Sequence, residues 1–138
     1  LDVLDRMKRA YKSRNGQGPL IVVGDLNVAP GEFDVWSHKQ LLDVVSHTPI
    51  EVEHLSRVYK SQDWVDVSRR ATPEPEKLYT WWSYRAADWQ ASNRGRRLDH
   101  IWVTPNLEKA LGKTWIVTPM RGWDKASDHV PVMTEVDV

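Results

Sequence analysis

The chain has 138 residues, 41% hydrophobic and 28% charged, which is enough to bury the core of one globular domain. Lys plus Arg and Asp plus Glu are equal at 19 each, so net charge gives no argument for a nucleic-acid partner. The absence of cysteine excludes disulfides and thiolate sites and fits a cytoplasmic location, and the lack of a long apolar run argues against a membrane partner.

The chain opens on a predicted helix that leads into a predicted strand. The helix has apolar residues at helical spacing and a stop signal at Asn15-Gly16. Its apolar positions are Leu1, Leu4, Met7 and Tyr11. The following run, Leu20 to Val23, is rich in β-branched residues and lies between Pro19 and Gly24, which predicts a buried strand.

Two further helices are predicted before the middle of the chain. Apolar residues within 35–46 indicate a helix there. The stretch Thr48-Pro49-Ile50-Glu51 is a sharper signal, because Thr is a good N-cap, Pro suits the first helical position and Glu completes a capping box. This second helix is predicted to continue through Val52, Leu55 and Tyr59.

The rest of the chain is predicted to consist mainly of short strands. They cover 64–67, 79–84, 98–103, 114–118 and 130–138. The stretch 71–77 contains two prolines and is predicted to be a loop. Because helices and strands intermix, the predicted class is α/β or α+β with a mixed sheet.

Asp25 and Asn27 follow the first predicted strand in the stretch "VVGDLNVAP" (22–30). Two positions apart, their side chains leave the end of the strand on the same face. A carboxylate there can activate a water or bind a hard cation, and an amide can donate to a developing oxyanion. Gly-Asp-x-Asn is also ordinary turn chemistry, so this stretch alone supports both readings.

The stretch "SDHVPV" (127–132) places Asp128 and His129 before the last predicted strand. Histidine can exchange a proton near neutral pH, or contact a phosphate when it is charged. The structural alternative is a loop pair with ordinary hydrogen bonds.

The stretch "NRGRRLDHIW" (93–102) joins a basic cluster to an acid within an apolar strand. The structural alternative for Arg94, Arg96 and Arg97 is a solvated loop. Asp99 is costly in such a strand unless it is paired, and a protonated histidine is a natural partner. The alternative for Asp99 is a salt bridge with one of the arginines.

Taken in this order, "GDLN", "RRLDHIW" and "SDHVPV" resemble the endonuclease/exonuclease/phosphatase superfamily, most closely the exonuclease III type of abasic-site endonucleases. The most specific part is "YTWWSYRAADWQASNRGRRLDHIWVTP" (79–105), which resembles the DNA repair branch. The resemblance covers essentially the whole chain. It implies half of a four-layer α/β/β/α sandwich, with one mixed sheet and helices on one face.

The resemblance also implies catalytic roles. Asp25 would orient or deprotonate the attacking water, and Asn27 would help to hold the phosphate. Asp99 would fix the imidazole of His129, which would contact the scissile phosphate. The implied metal ligands are Asp25, Asn27 and Asp128, and oxygen ligands suit Mg²⁺ or Mn²⁺.

A DNA-binding surface is implied as well. Trp81 and Trp82 would line a pocket for a base-free sugar, although strand alternation predicts that one of them packs the sheet instead. Arg96 stands where some relatives have an apolar wall residue, and it would alternatively grip a backbone phosphate. The predicted DNA-binding residues are Trp81, Trp82, Asn93, Arg94, Arg96 and Arg97.

The implied function is that of a Mg²⁺-dependent DNA repair phosphodiesterase, a 3′-exonuclease and abasic-site endonuclease acting on duplex DNA. The resemblance assigns an Asn, a Glu and a Tyr of the site to a first half. Residues 1–138 are therefore expected to be the carboxyl-terminal half, inactive alone and able to self-associate through an exposed sheet face. Two alternatives remain open: a non-catalytic fragment that binds nucleic acid or is structural, and a superfamily phosphatase acting on a phosphorylated small molecule or lipid.

Overall fold

The computed structural model of the chain describes residues 6, 7, 9, 10 and 18–138. The strands in this part are β1 Ile21–Asp25, β2 Val65–Asp66, β3 Trp81–Trp82, β4 Gly95–Arg96, β5 Asp99–Val103, β6 Leu111–Ile116 and β7 Val132–Val136. The α-helices after β1 are α1 His38–Leu41, α2 Pro49–Lys60, α3 Val67–Ala71 and α4 Trp89–Ser92. Short 3-10 helices cover Glu32–Asp34, Pro105–Ala110 and Thr118–Gly122.

The predicted leading helix falls mostly on residues that the structure does not describe. Arg6, Met7, Arg9 and Ala10 are helical. The remainder of that prediction lies outside the described residues, namely Leu1, Leu4, Tyr11 and the stop at Asn15-Gly16.

The predicted α/β class is confirmed, but the described strands form three antiparallel sheets in place of one mixed sheet. Their orders are β1-β5-β2, β3-β4 and β6-β7. Where β4 leads into β5, the N–H groups of Leu98 and Asp99 donate to the Thr80 hydroxyl at 3.0 and 3.1 Å. Single bridges, Val35 with Arg96 and Trp81 with His129, connect the ladders to neighbouring segments.

The strand predicted at 20–23 is confirmed as β1, but the prediction that it is buried is wrong. Val22 is half-buried, and Ile21 and Val23 on the other face are 50% and 65% exposed. The other predicted strands are present as β2, β3, β5, β6 and β7 with shifted bounds. Residues 72–77 form the predicted loop.

The helix predicted over 35–46 is mostly wrong, whereas the capping-box helix is confirmed. Only α1 is helical in the first segment, and Ser46 has a left-handed φ of 77°, which a right-handed helix does not contain. At the start of α2, the Thr48 N–H and hydroxyl donate to the Glu51 carboxylate at 3.2 and 2.6 Å. The same carboxylate accepts the Ser46 N–H at 2.8 Å and so fixes the turn before the helix.

Two buried apolar clusters flank the start of β5. One contains Leu98 and Val35, and Trp81 packs against it. The other contains Ile101 and Val103. The backbone at Asp99 therefore lies between buried neighbours, which restricts its position.

Arg97 is a structural residue, and the prediction that it binds DNA is wrong. Its side chain is 2% exposed, and it donates to Asp34 at 2.7 Å and to both carboxylate oxygens of Asp66 at 2.8 Å. Arg69 contacts Asp34 as well, at 2.5 Å. A guanidinium enclosed in this way cannot reach a DNA backbone.

These contacts shift the pKa values of both buried partners. Burial alone would raise the pKa of Asp34, but Arg97 and Arg69 outweigh it and hold that pKa below its usual value. Burial alone would lower the pKa of Arg97, but Asp34 and Asp66 raise it above its usual value. Both groups are therefore charged at neutral pH.

We expect Asp34→Asn to lower the free energy of unfolding by about 3–5 kcal/mol, because it removes the carboxylate shared by Arg97 and Arg69 and leaves buried Arg97 with Asp66 alone. Urea denaturation measures this. The control is Glu108→Gln, whose partner Arg70 is 44% exposed, and it should change stability by less than about 1 kcal/mol. Equal effects of the two substitutions would contradict the assignment.

The same comparison has a pH dependence. A carboxyl whose pKa is lowered by folding stabilises the protein above its unfolded pKa, and that stabilisation is lost as pH falls toward its folded pKa. The stability difference between wild type and Asp34→Asn should thus be constant near neutral pH and shrink only below about pH 4. A difference that shrinks between pH 8 and about pH 6 would show that another group dominates.

Candidate active site

The register between β1 and β5 brings Asp25 and Asp99 together. The two residues are direct partners, one ending β1 and the other beginning β5. Directly paired side chains lie on the same face of an antiparallel ladder. Asn27 follows in the left-handed region, with φ 56°, and its N–H donates to the Asp25 carboxylate at 2.9 Å. The turn after the strand therefore holds Asp25 in place.

The Asp99 carboxylate has two side-chain donors. The Thr80 hydroxyl donates to its Oδ2 at 2.6 Å, and Nδ1 of His129 lies 2.8 Å from the same oxygen. Thr80 is fully buried and already accepts two backbone N–H groups, so its single proton goes to Asp99. The predicted contact between Asp99 and His129 is confirmed, and in the described part of the chain Asp99 has no salt bridge to an arginine.

The histidine presents its second nitrogen to Asp25. Because a carboxylate only accepts hydrogen bonds, Nδ1 of His129 is the donor to Asp99. Nε2 then lies 3.7 Å from Oδ2 of Asp25. The side chains of His129 and Asp25 are 31% and 43% exposed, so this end of the array is accessible. The ring can therefore take or give a proton at Nε2 while Asp99 fixes its orientation.

A cleft of about 800 Å³ adjoins this array and has aromatic and basic walls. Trp81 donates its indole N–H to Asp128 at 2.9 Å, and the guanidinium of Arg96 lies 5.2 Å from the centre of its ring. Trp82 is 3% exposed and donates to Asn93 at 3.0 Å. The predicted alternation is confirmed, because Trp81 is the more open wall and Trp82 is packed inside. Asp25, Asn27, Asp128 and His129 line the same cleft.

The basic residues of the predicted DNA surface differ in their surroundings. Arg94 is exposed and stacks 4.7 Å from the ring centre of Trp36. Arg96 is half-buried and donates to a backbone carbonyl and to the Ser46 hydroxyl, both at 2.8 Å. Burial lowers its pKa. Both arginines line the cleft, whereas Asn93 does not line it, and binding of DNA by these three residues stays a prediction.

One group of side chains in the described residues has the spacing of a metal site. Ligand atoms of Asp25, Asp99 and His129 lie within 4.8 Å of one another. Two carboxylates and an imidazole can bind a divalent cation. The predicted ligand set shares only Asp25 with this group. Asp128 lies outside it, and its carboxylate already accepts the indole N–H of Trp81.

Thr80 is a site residue that the sequence does not reveal. Threonine is common in strands, and the stretch "YTWW" predicts only a strand. The contacts of Thr80 with Leu98 and Asp99 join residues 18 and 19 positions away. No local pattern carries that information.

Comparison with known proteins identifies the family of the chain. A sequence profile described as the endonuclease/exonuclease/phosphatase family matches residues 2–129. The chain belongs to this family. It is 28% identical over 137 residues to the exodeoxyribonuclease III of Haemophilus influenzae. The aligned region covers 95% of this chain and 51% of that protein.

Two solved structures are similar in fold. An AP endonuclease from Archaeoglobus fulgidus has a TM-score of 0.82 and 28% identity, covering 98% of this chain and 53% of its own. A 3′ phosphatase from Neisseria bound to product DNA hairpin has a TM-score of 0.83 and 28% identity, covering 94% and 49%. The chain therefore spans about half the length of the relatives it matches. No helix in the described residues is long and apolar enough to cross a membrane.

Above neutral pH we expect His129 to carry its proton on Nδ1, because the Asp99 carboxylate accepts from that nitrogen. Long-range ¹H–¹⁵N NMR spectra distinguish the two tautomers. Asp99→Ala should release the ring to the Nε2–H form, while the exposed His54 keeps the same tautomer in both proteins. An Nε2–H signal for His129 in the wild type would contradict the pairing.

Proposed function

We propose that the chain is part of a Mg²⁺-dependent phosphodiesterase of DNA repair, with 3′-exonuclease and abasic-site endonuclease activity. The observation that best supports this is the array of Asp25, Asp99 and His129. In it, His129 is hydrogen-bonded to Asp99 and faces Asp25 beside an aromatic and basic cleft. The relatives are named as an exodeoxyribonuclease and an AP endonuclease, and one structural neighbour holds DNA. Phosphodiester hydrolysis needs a base for water and donors for the phosphate.

In this proposal the polar side chains of the site divide the work on the water and the phosphate. Asp25 accepts the proton of the attacking water through Oδ2, since the Asn27 N–H occupies Oδ1. His129, oriented by Asp99, contacts a phosphate oxygen through Nε2. The Asn27 side-chain amide donates to the charge that develops on the phosphate.

The proposal places a Mg²⁺ or Mn²⁺ ion at Asp25, with Asn27 and Asp128 as the predicted partners. Their oxygen atoms suit a hard cation better than the imidazole does, and Asp99 and His129 are already bonded to each other. When bound, the ion would supply positive charge that stabilises the pentavalent transition state.

The DNA contacts of the proposal lie along the cleft. Trp81 would form one wall for a base-free sugar, and Arg94 and Arg96 would contact backbone phosphates, with Asn93 at the margin. The stacking of Arg96 on Trp81 supports a shared surface, because it places the guanidinium and the ring side by side in the cleft. Self-association through the exposed face of β1 stays a prediction.

The proposal retains the predicted placement of residues 1–138 in the carboxyl-terminal half of the family domain. The product of the complete gene and residues 1–138 alone are therefore assayed with Mg²⁺ on an abasic duplex and on a duplex with a free 3′ end. Cleavage by the gene product with binding but no cleavage by residues 1–138 supports the proposal. Hydrolysis of a phosphorylated small molecule in place of DNA would favour the phosphatase alternative.

We expect Mn²⁺ to bind residues 1–138 at Asp25, which electron paramagnetic resonance measures as loss of the free-ion signal. Asp25→Asn should weaken binding on the order of tenfold, because it removes a charged ligand oxygen. Asp63→Asn, an exposed carboxylate in the turn after α2, is the matched control and should change nothing. Unchanged affinity in Asp25→Asn would place the ion elsewhere.

In the complete gene product we expect Asp99→Asn to lower kcat by about 10²–10⁴ while KM changes only a few fold. The reason is that orientation of the His129 imidazole acts mainly in the transition state. Steady-state cleavage of an abasic duplex measures both constants. Asp137→Asn, exposed near the end of β7, is the control. A wild-type kcat in Asp99→Asn would contradict the orienting role of Asp99.

A further inference from the structure

Arg121 is a buried cation that the proposed mechanism does not use. It is 8% exposed, and its Nε donates to the Trp82 carbonyl at 3.2 Å. Its Nη2 lies 3.5 Å from the Ser83 carbonyl, and its guanidinium lies 5.0 Å from the ring centre of Tyr84 and 5.6 Å from that of Trp89. In the described residues it has no salt bridge.

This environment is unusual for a buried guanidinium. Arg97, which is buried to a similar degree, is neutralised by two carboxylates. Arg121 has backbone carbonyls and aromatic faces in their place, which stabilise a cation less than a carboxylate does. The contacts of Arg121 with the Trp82 and Ser83 carbonyls and with the Tyr84 and Trp89 rings therefore depend on the present positions of these residues.

The bonds of Arg121 join β3 to the segment that carries Asp128 and His129. Arg121 belongs to the 3-10 helix Thr118–Gly122, a few residues before Asp128. The Trp82 carbonyl accepts from Arg121, and the Trp82 N–H donates to the Asp128 carbonyl at 3.0 Å. Both the N–H and the carbonyl of Trp82 are therefore hydrogen-bonded to the segment 121–128.

Tyr84 adds a second attachment between the same two parts of the chain. Its hydroxyl donates to the Ala126 carbonyl at 2.8 Å, and its ring lies against the Arg121 guanidinium. Ala126 is two residues before Asp128, whose carboxylate accepts the indole N–H of Trp81 at 2.9 Å. The loop before His129 is thus hydrogen-bonded to the β3 segment at two points, through Arg121 and through Ala126.

We infer that Arg121 is a positioning residue, which sets Trp81, Asp128 and His129 relative to Asp25 without touching the substrate. This inference rests on the proposed function for its kinetic consequence only. Its structural consequence, the placement of the Trp81 indole and the His129 ring, is measured without DNA. The two consequences can therefore fail separately.

The test compares Arg121→Met and Arg121→Lys with the wild type. In residues 1–138, NMR records the indole N–H signal of Trp81 and the His129 ring signals. In the complete gene product, abasic-site cleavage gives kcat and KM. We expect Arg121→Met to shift both sets of signals and to lower kcat by about 10–100-fold, with KM within about 3-fold. Arg121→Lys should restore part of kcat, because an ammonium can still donate to one carbonyl.

A matched control and a milder variant keep the test decisive. Lys113→Met removes another cation stacked on a tryptophan, 5.1 Å from the ring centre of Trp115. It should change neither the NMR signals of Trp81 and His129 nor kcat. Tyr84→Phe removes only the bond to Ala126 from an exposed side chain, so it should fold and shift the Trp81 signal in the same direction.

Unchanged Trp81 and His129 signals in Tyr84→Phe and in either Arg121 variant that folds would overturn the inference. Shifted signals with wild-type kcat would overturn it as well. If the wild-type gene product cleaves no DNA, the proposed function is wrong, and the NMR signals still support or overturn the positioning of Trp81 and His129 by Arg121.

Discussion

The buried hydroxyl of Thr80 connects the elements that form the site. It accepts the N–H groups of Leu98 and Asp99 and donates its proton to the Asp99 carboxylate. The backbone of Thr80 is tied in the same way, because its N–H donates to the Arg96 carbonyl and its carbonyl accepts the Val130 N–H. A hydroxyl has one proton and two lone pairs, so no bonding capacity is left over. The start of β5 and the segment of His129 are thus positioned by one residue, and the pairing of Asp99 with His129 depends on it.

Two buried guanidinium groups stabilise the fold in different ways. Arg97 has two carboxylate partners, which offset the cost of burying its charge and make it a strong but purely structural link. Arg121 has carbonyls and aromatic rings, which offset that cost less fully. Asp34 and Asp66, the partners of Arg97, do not line the cleft, whereas Trp82, Ser83 and Trp89, which contact Arg121, do line it. That difference is why a structural role suits Arg97 and a positioning role suits Arg121.

The aromatic residues of the cleft also divide according to their polar atoms. The Trp81 indole N–H finds the Asp128 carboxylate, so this ring is oriented from within the site and stays half open. The Trp82 N–H finds Asn93, and its ring packs against Tyr79 and Trp89. An indole N–H that is removed from water usually finds a hydrogen-bond partner, and here the location of that partner orients each ring. Adjacent tryptophans thereby acquire different surroundings.

The sequence by itself determined the features that depend on neighbours along the chain. The capping box at Thr48 and Glu51, the β-branched strand before Asp25 and the set Asp25, Asp99 and His129 could all be identified from local pattern and resemblance. Tertiary structure alone decided which of three nearby arginines is buried, because the carboxylates that enclose Arg97 lie 31 and 63 positions away. It also decided that the segment 35–46 is mostly turns, since the left-handed Ser46 lies against α2 and Arg96. The roles of Thr80 and Arg121 arise in the same way, from hydrogen bonds between segments far apart in sequence, whose energies exceed local preferences and leave no local pattern.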